Sequence, residues 1–166
     1  MESARELFHH EARSLLDGTK QLGRGLQKMA KKASHPELRS KIEDLRTATE
    51  EQRRRVEEIF SLMGEKETTT DSLTLRAFLG EVDSFVSQEK PETEPLDIYL
   101  AHTASDVANY LMDEYESMLL LAERSGITHA TPKVSELLKV SGKECKKIGT
   151  DIHKMIEPLI EQVRPS

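Results

Sequence analysis

The residues with chemical potential are polar side chains set inside otherwise apolar helical stripes. They comprise hydroxyls, one amide and the only thiol of the chain, at Thr19, Thr49, Gln52, Ser105, Ser141 and Cys145. Such groups at one depth of a helical protein could bind a polar ligand, whereas hard metal ions would also need several carboxylates. The alternative is structural. A hydroxyl inside a helix can bond the carbonyl four residues back, and a buried cysteine most often acts as a small hydrophobic side chain.

Other familiar chemistry has little support in the sequence. The neighbours His9 and His10, and His102 one turn before Asp106, are more typical of helix surfaces than of metal sites. The "GRG" at residues 23–25 lies within a predicted helix instead of following a strand, so it is not a phosphate loop. Because no nucleophile stands at a recognisable spacing from a base, we do not expect an enzyme.

The elements that must position these groups are helices. Apolar residues repeat every three or four positions over five segments, at about residues 3–32, 34–63, 71–88, 96–125 and 131–163. Ser34 is predicted to cap the second segment, with Pro36 in its first turn and Glu37 completing a capping box. Gly64 is placed to end that segment in a left-handed conformation, and Thr131 is predicted to cap the last one.

Four of these segments are long, and the connection between the second and third long ones carries the short segment. This order predicts one domain over residues 1–166, an all-α, ferritin-like four-helix bundle whose long crossover carries a short fifth helix.

Composition excludes several classes of protein. The 166 residues carry a net charge of −6, with 33% charged and 4% aromatic residues. No basic stripe with interleaved aromatics indicates nucleic-acid binding, and Arg53–Arg55 is flanked by glutamates, with predicted pairs from Glu50 to Arg54 and from Glu51 to Arg55. No segment predicts a membrane span or a signal peptide. With a single cysteine, a reducing compartment and a cytoplasmic location are expected.

Two glycine pairs stand inside predicted helices. Gly18 and Gly25 are seven residues apart, as are Gly142 and Gly149, so each pair lies along one line of its helix. Close approach of another backbone would offset the cost of about 1 kcal/mol per glycine. Neutral surface glycines are the equally open alternative.

The first 66 residues resemble the bacterial YciF-like, stress-associated ferritin-like proteins. The resemblance is carried by "LFHHEARSLLDGTKQLGRGLQKMAKKASHPELRSKIEDL" and "EEQRRRVEEIFSLMGEK". Further along, "ANYLMDEYESMLLLAERSGI" and "ELLKVSGKECKKI" are similar to the last two long helices of that family. Membership implies a helical bundle with a stress-related role, and it implies pairing of two chains.

The same resemblance implies that a di-metal site has been lost. Family ligands in the first and second helices are replaced by Thr19, Ala48 and Gln52. Glu-His-Tyr-Glu in the third long helix becomes "ANYL", from Ala108 to Leu111, and a glutamate pair in the fourth becomes Glu144-Cys145. The predicted vestigial layer is therefore Thr19, Ala48, Gln52, Ala108, Leu111, Glu144 and Cys145, with no metal or other cofactor. Gln52 is expected to find hydrogen bonds within it, from Thr19, Thr49, Ser105 or a trapped water.

Three functions compete at this stage. The leading hypothesis is a non-catalytic, metal-free interaction protein that forms a homodimer, since the short third segment carries more apolar residues than a connector needs: Leu75, Phe78, Leu79, Val82 and Phe85. The second is a ferroxidase-type protein with a displaced site built from Glu11, Asp113, Glu114, Glu144 and a histidine. The third is a small-molecule carrier using a cavity at mid-bundle.

Overall fold

The computed structural model describes residues 3–163, and every element within that range is a helix. In chain order these are α1 (Ala4–Lys32), α2 (Pro36–Leu62), α3 (Leu73–Glu89), α4 (Thr93–Arg124), α5 (Ile127–Ala130), α6 (Pro132–His153) and α7 (Ile156–Gln162). The predicted all-α bundle of four long helices with a helix in the crossover is confirmed.

The turn between α1 and α2 is fixed by a residue far along the chain. Ser34 does not cap α2 as predicted; His35 does, its Nδ1 accepting from the Leu38 N–H at 3.4 Å. Ser34 is engaged elsewhere, because its N–H donates to the Asp97 carboxylate at 2.8 Å and its hydroxyl donates to the same group. The His35 N–H adds a third bond to Asp97 at 3.0 Å, so the start of α4 is held against this turn.

The end of α2 follows the prediction. Gly64 has φ +69°, the left-handed conformation that glycine adopts without steric cost. Its N–H donates to the Ser61 carbonyl, and the Glu65 N–H donates to Phe60. This pair of bonds forms a Schellman motif, which satisfies carbonyls left open at the end of a helix.

The crossover helix α3 packs along α1 in the same direction. A Cβ atom placed on Gly18 would lie 2.4 Å from the Leu75 side chain, and one on Gly25 would lie 2.1 Å from Leu79. These glycines therefore allow close approach and are not neutral surface positions. Because α3 returns the chain to the end of the bundle where α1 stops, α4 starts there and runs parallel to α2.

The second half of the bundle is an antiparallel pair of helices, α4 and α6. A Cβ on Gly149 would meet Ala108 at 3.0 Å, and one on Gly142 would meet Tyr115 at 3.6 Å. Gly149 thus marks a tight crossing, whereas Gly142 makes ordinary contact. The four long helices bury their apolar stripes in one shared core, in which Tyr115 and Phe8 are among the largest fully buried side chains.

The last predicted helix is two helices. α6 ends at His153 and α7 begins at Ile156, since Pro158 has no N–H for the Lys154 carbonyl and its ring would clash there in a continuous helix. Restarting the helix places Pro158 in a first turn, where proline is tolerated. Similarly α4 begins at Thr93, earlier than predicted, with Pro95 in its first turn. No helix within residues 3–163 has the length and apolar character to cross a membrane.

Candidate functional site

The predicted layer lies at the centre of the bundle. Six of its seven members are buried in the core, namely Thr19, Ala48, Gln52, Ala108, Leu111 and Cys145. Glu144 differs, because its side chain is 31% exposed at the edge of the layer. The layer is thus largely uncharged, and its one carboxylate reaches towards the surface.

Three of the hydroxyls are used by the backbone. Thr19 Oγ1 donates to the Leu16 carbonyl at 3.2 Å, and Thr49 Oγ1 donates to the Leu45 carbonyl at 2.8 Å. Ser105 Oγ donates across the tight crossing to the Gly149 carbonyl at 3.4 Å. Thr19 and Thr49 therefore have a structural role, since each hydroxyl donates to a carbonyl in the preceding turn of its own helix.

The remaining polar groups gather between α2, α4 and α6, and we call this set the central cluster: Gln52, Arg55, Tyr115, Ser141, Glu144 and Cys145. Arg55 forms a salt bridge with Glu144 and donates to Ser141 Oγ at 3.4 Å. The predicted pair from Glu51 to Arg55 is not formed, because Glu51 pairs with Arg54. Arg55 instead spans from α2 to α6 at the edge of the core.

The thiol and the phenol of the central cluster are held protonated. Burial raises the pKa of Cys145 to about 12, and the negative charge of Glu144 adds to the effect. The Gln52 amide lies close enough to oppose this rise in the pKa, without the geometry of a hydrogen bond. Burial likewise raises the pKa of Tyr115 well above its ordinary value. Since the thiolate is the nucleophilic form of cysteine, Cys145 is not poised for covalent chemistry.

Three buried polar atoms of the central cluster have no hydrogen-bond partner in the described structure. They are Nε2 and Oε1 of Gln52 and the Tyr115 hydroxyl. The expected bonds from Gln52 to Thr19, Thr49 or Ser105 do not form, and those hydroxyls donate to main-chain carbonyls. A buried polar group without a partner costs about 1–3 kcal/mol.

The donor set does not fit a di-metal centre. Glu144 is the single carboxylate of the layer, and Arg55 already neutralises its charge. Within residues 3–163 no group of three or more histidine, cysteine, aspartate or glutamate side chains is arranged to hold a metal ion. Two divalent ions in a buried site require several carboxylates for charge balance.

The residues considered for a displaced metal site are divided between separate places. Glu11, Asp113 and Glu114 lie near one another on α1 and α4; burial raises the pKa of Glu114, and the charges of Glu11 and Asp113 raise it further. Glu144 is elsewhere, paired with Arg55. His9 Nδ1 lies 2.9 Å from a carboxylate oxygen of Glu65, so this histidine pairs with a residue outside the candidate set.

Two aspartates that the sequence analysis did not single out accept hydrogen bonds from the segments that connect the helices. Asp97 is 4% exposed and accepts the three bonds from the α1–α2 turn described above. Asp17 accepts from the Ser72 N–H at 3.0 Å, ahead of α3, and from the Gln21 side chain. The position of Asp17 next to Gly18, inside a predicted helix, could have marked it as unusual. Asp97 follows Pro95, and no local sequence pattern indicates its role.

Comparison with known proteins places this architecture in a family. The fold and its buried polar centre define an all-α bundle with a crossover helix. Residues 3–163 match the family described as a domain of unknown function, DUF892, and the chain therefore belongs to that family. No curated protein matches the chain.

Two solved structures share the fold. The stress protein YciF of E. coli is 21% identical over 98% of this chain and 100% of its own, with a TM-score of 0.88. YcfI of Rhodopseudomonas palustris is 20% identical over 92% of this chain and 94% of its own, with a TM-score of 0.85. The resemblance of the sequence to YciF-like proteins is confirmed.

Proposed function

We propose that this protein is a non-catalytic, metal-free bundle that acts in a stress response by binding other protein chains. The E. coli relative is described as a stress protein, and membership of the same fold supports a related role here. The single buried cysteine suits a reducing compartment such as the cytoplasm. A net charge of −6 disfavours nucleic acid as a partner, and no membrane association is proposed.

The observation that carries the proposal is the neutralised centre of the bundle. Metal-dependent oxidation in a helical bundle needs inward carboxylates that bind two ions. Here the only carboxylate of the layer forms a salt bridge with Arg55. The thiol that replaces a potential ligand has its pKa raised to about 12, which disfavours the deprotonated form that binds metals.

Metal analysis tests this proposal directly. Protein purified without chelator should be incubated with ferrous iron or manganese, passed through gel filtration and analysed for metal content. We expect well below one ion per chain and no acceleration of iron oxidation over buffer. Two ions per chain that are retained and then lost in an Arg55- and Glu144-substituted variant would falsify the metal-free proposal.

We also propose that the protein forms a homodimer, for which the apolar residues of α3 offer less free surface than the sequence indicated. Leu75 and Val82 are buried against the bundle. The Phe78 ring lies 6.0 Å from Tyr110, and the Phe85 ring stacks on Tyr99 at 3.8 Å. Because much of the apolar side of α3 packs within its own chain, other surfaces are also considered for the pairing.

A role as a small-molecule carrier is the second candidate, favoured by the partnerless amide of Gln52 and hydroxyl of Tyr115. A polar molecule with both donors and acceptors would satisfy these atoms. Organic extraction of the folded protein followed by mass spectrometry tests the idea. A compound recovered in stoichiometric amount from wild type, and lost in Gln52→Met, would support the carrier over the interaction protein.

A further inference from the structure

A groove of about 260 Å³ runs between α4 and α6. Its floor is apolar, with Tyr115 and Leu138 buried beneath it and Leu119 half-buried at its side. Gly142 leaves the floor open, because it has no side chain to fill the space above Tyr115. On α4, Leu120 lies one turn after Glu116, a residue that lines the groove, and its side chain is 61% exposed.

One wall of this groove is strongly basic. Lys139, Lys143 and Lys146 of α6 line it and are exposed. None of the three has a carboxylate within 4.0 Å among residues 3–163, whereas Lys133 and Lys147 on the same helix pair with Glu136 and Asp151. The single acid of the groove, Glu116, belongs to the opposite wall on α4. A chain of net charge −6 thus presents an unpaired cationic edge beside an apolar floor.

The complementary surface is on the same molecule, on α7, which follows the end of α6. Helix α7 is anchored by Leu159, which is buried, but it turns Ile160 outwards, 53% exposed. Glu157 and Glu161 flank Ile160 and are also exposed, and these three residues share a shallow surface with Ile156 and with His153 and Lys154 from the end of α6. The exposed side of α7 is therefore apolar along its centre and acidic at its edges.

We propose that α7 of a second copy of this chain docks in the α4–α6 groove. Ile160 would cover the apolar floor beside Leu119, and Glu157 and Glu161 would face the lysines of α6. The lengths are similar, since the seven residues of α7 span about 10 Å and the eight residues from Lys139 to Lys146 span about 12 Å. Charge complementarity of this kind sets register and partner choice at an interface.

The position of the two surfaces dictates the symmetry. The groove is lined by residues around the middle of α6, whereas α7 follows the end of that helix. Two chains related by a two-fold axis and running antiparallel would make the contact twice, and the pair is closed. Doubling a small contact also brings the buried area closer to that of stable complexes.

Charge reversal followed by charge exchange tests the interface. Two variants are made, K143E/K146E in the groove and E157K/E161K on α7, with K31E/K66E as a control for exposed lysines elsewhere. Sedimentation equilibrium should show wild type and the control as dimers, with association weakened roughly tenfold or more in each of the two variants. Mixing the two variants should restore dimers, because each groove then meets an α7 of opposite charge. Circular dichroism confirms that all variants remain helical.

The outcomes separate this inference from the proposed function on which it rests. Dimers that persist unchanged in both variants would overturn the α7–groove contact and leave the proposed pairing standing. A wild type that is monomeric at about 100 μM would overturn both. Failure of the mixed variants to associate would also overturn the contact. None of these results depends on metal content.

Discussion

At the scale of single residues, the centre of the bundle holds packed apolar side chains and locally hydrogen-bonded hydroxyls where carboxylates could otherwise bind a metal. The hydroxyls of Thr19 and Thr49 donate to carbonyls of their own helices, so they donate no hydrogen bond to the buried amide of Gln52. Arg55 compensates the one carboxylate within reach of the layer. A buried polar side chain is then left next to a thiol without the geometry to bond it, and this makes Gln52 the most informative position to change.

We predict that Gln52→Met stabilises the protein by about 1 kcal/mol, because the amide is desolvated in the folded chain and receives no hydrogen bond from it. Tyr115→Phe removes the other partnerless group and should act in the same direction. Urea unfolding monitored by circular dichroism measures both. A loss of stability in Gln52→Met would contradict the prediction and would show that the amide is bonded in solution.

Glu114 gives a pH-dependent prediction. Burial first, and then the charge of Glu11, raise its pKa above the ordinary 4.5. A raised pKa in the folded state means that the folded protein holds the proton more tightly than the unfolded one. The contribution to stability is then fully present below about pH 4.5 and is lost as the pH rises through the folded pKa.

Glu114→Gln should therefore make the protein more stable than wild type at pH 7, with a smaller difference at pH 4. As the pH rises from 4 to 7, the free energy of unfolding should also fall less in this variant than in wild type. Urea unfolding across the pH range is the measurement, and Glu116→Gln, an exposed position on the same helix, is the matched control. Equal pH dependence in wild type and Glu114→Gln would rule out the effect.

At the scale of elements, the crossover helix is held by contacts from α1. Asp17 receives the N–H of Ser72 just ahead of α3, and Gly18 and Gly25 let the leucines of α3 approach the α1 backbone. The four glycines of the two seven-residue pairs thus have three different environments. Gly18 and Gly25 accommodate α3, Gly149 accommodates α4, and Gly142 opens the groove.

We predict that Gly18→Ala costs about 1–3 kcal/mol, because its new methyl group would lie 2.4 Å from the buried Leu75 side chain. Gly23→Ala, in the same helix with nothing within 4 Å, should instead gain up to about 1 kcal/mol from helix propensity. Thermal and urea unfolding of the two variants provide the comparison. A stabilising Gly18→Ala would mean that α3 does not pack as described.

At the scale of the whole molecule, one hydrophobic core joins two antiparallel helix pairs. The pairs α1–α2 and α4–α6 are connected by a crossover that returns the chain along α1, and Asp97 fastens the second pair to the turn of the first. The proposed pairing would bring the lysines of the α4–α6 groove against the glutamates of a partner's α7.

The sequence by itself determined the helices, their order and the uncharged character of the bundle centre. These depend on local physics: 3.6-residue periodicity, a left-handed glycine at residue 64, and the presence or absence of carboxylates at given positions. It also predicted that the thiol of Cys145 would be a buried small side chain, as it is.

Only the tertiary structure decided which polar groups meet and which surfaces stay free. Periodicity shows which side of a helix is buried but not which helix it meets, so Arg55 was assigned to a local glutamate and not to Glu144. The apolar residues of α3 were assigned to a partner chain, although two are buried in the bundle and both phenylalanines pack on α4. Asp97 and Ser34 are 63 residues apart, and a bond over that separation leaves no signal in either local sequence, because it exists only once the whole bundle has packed.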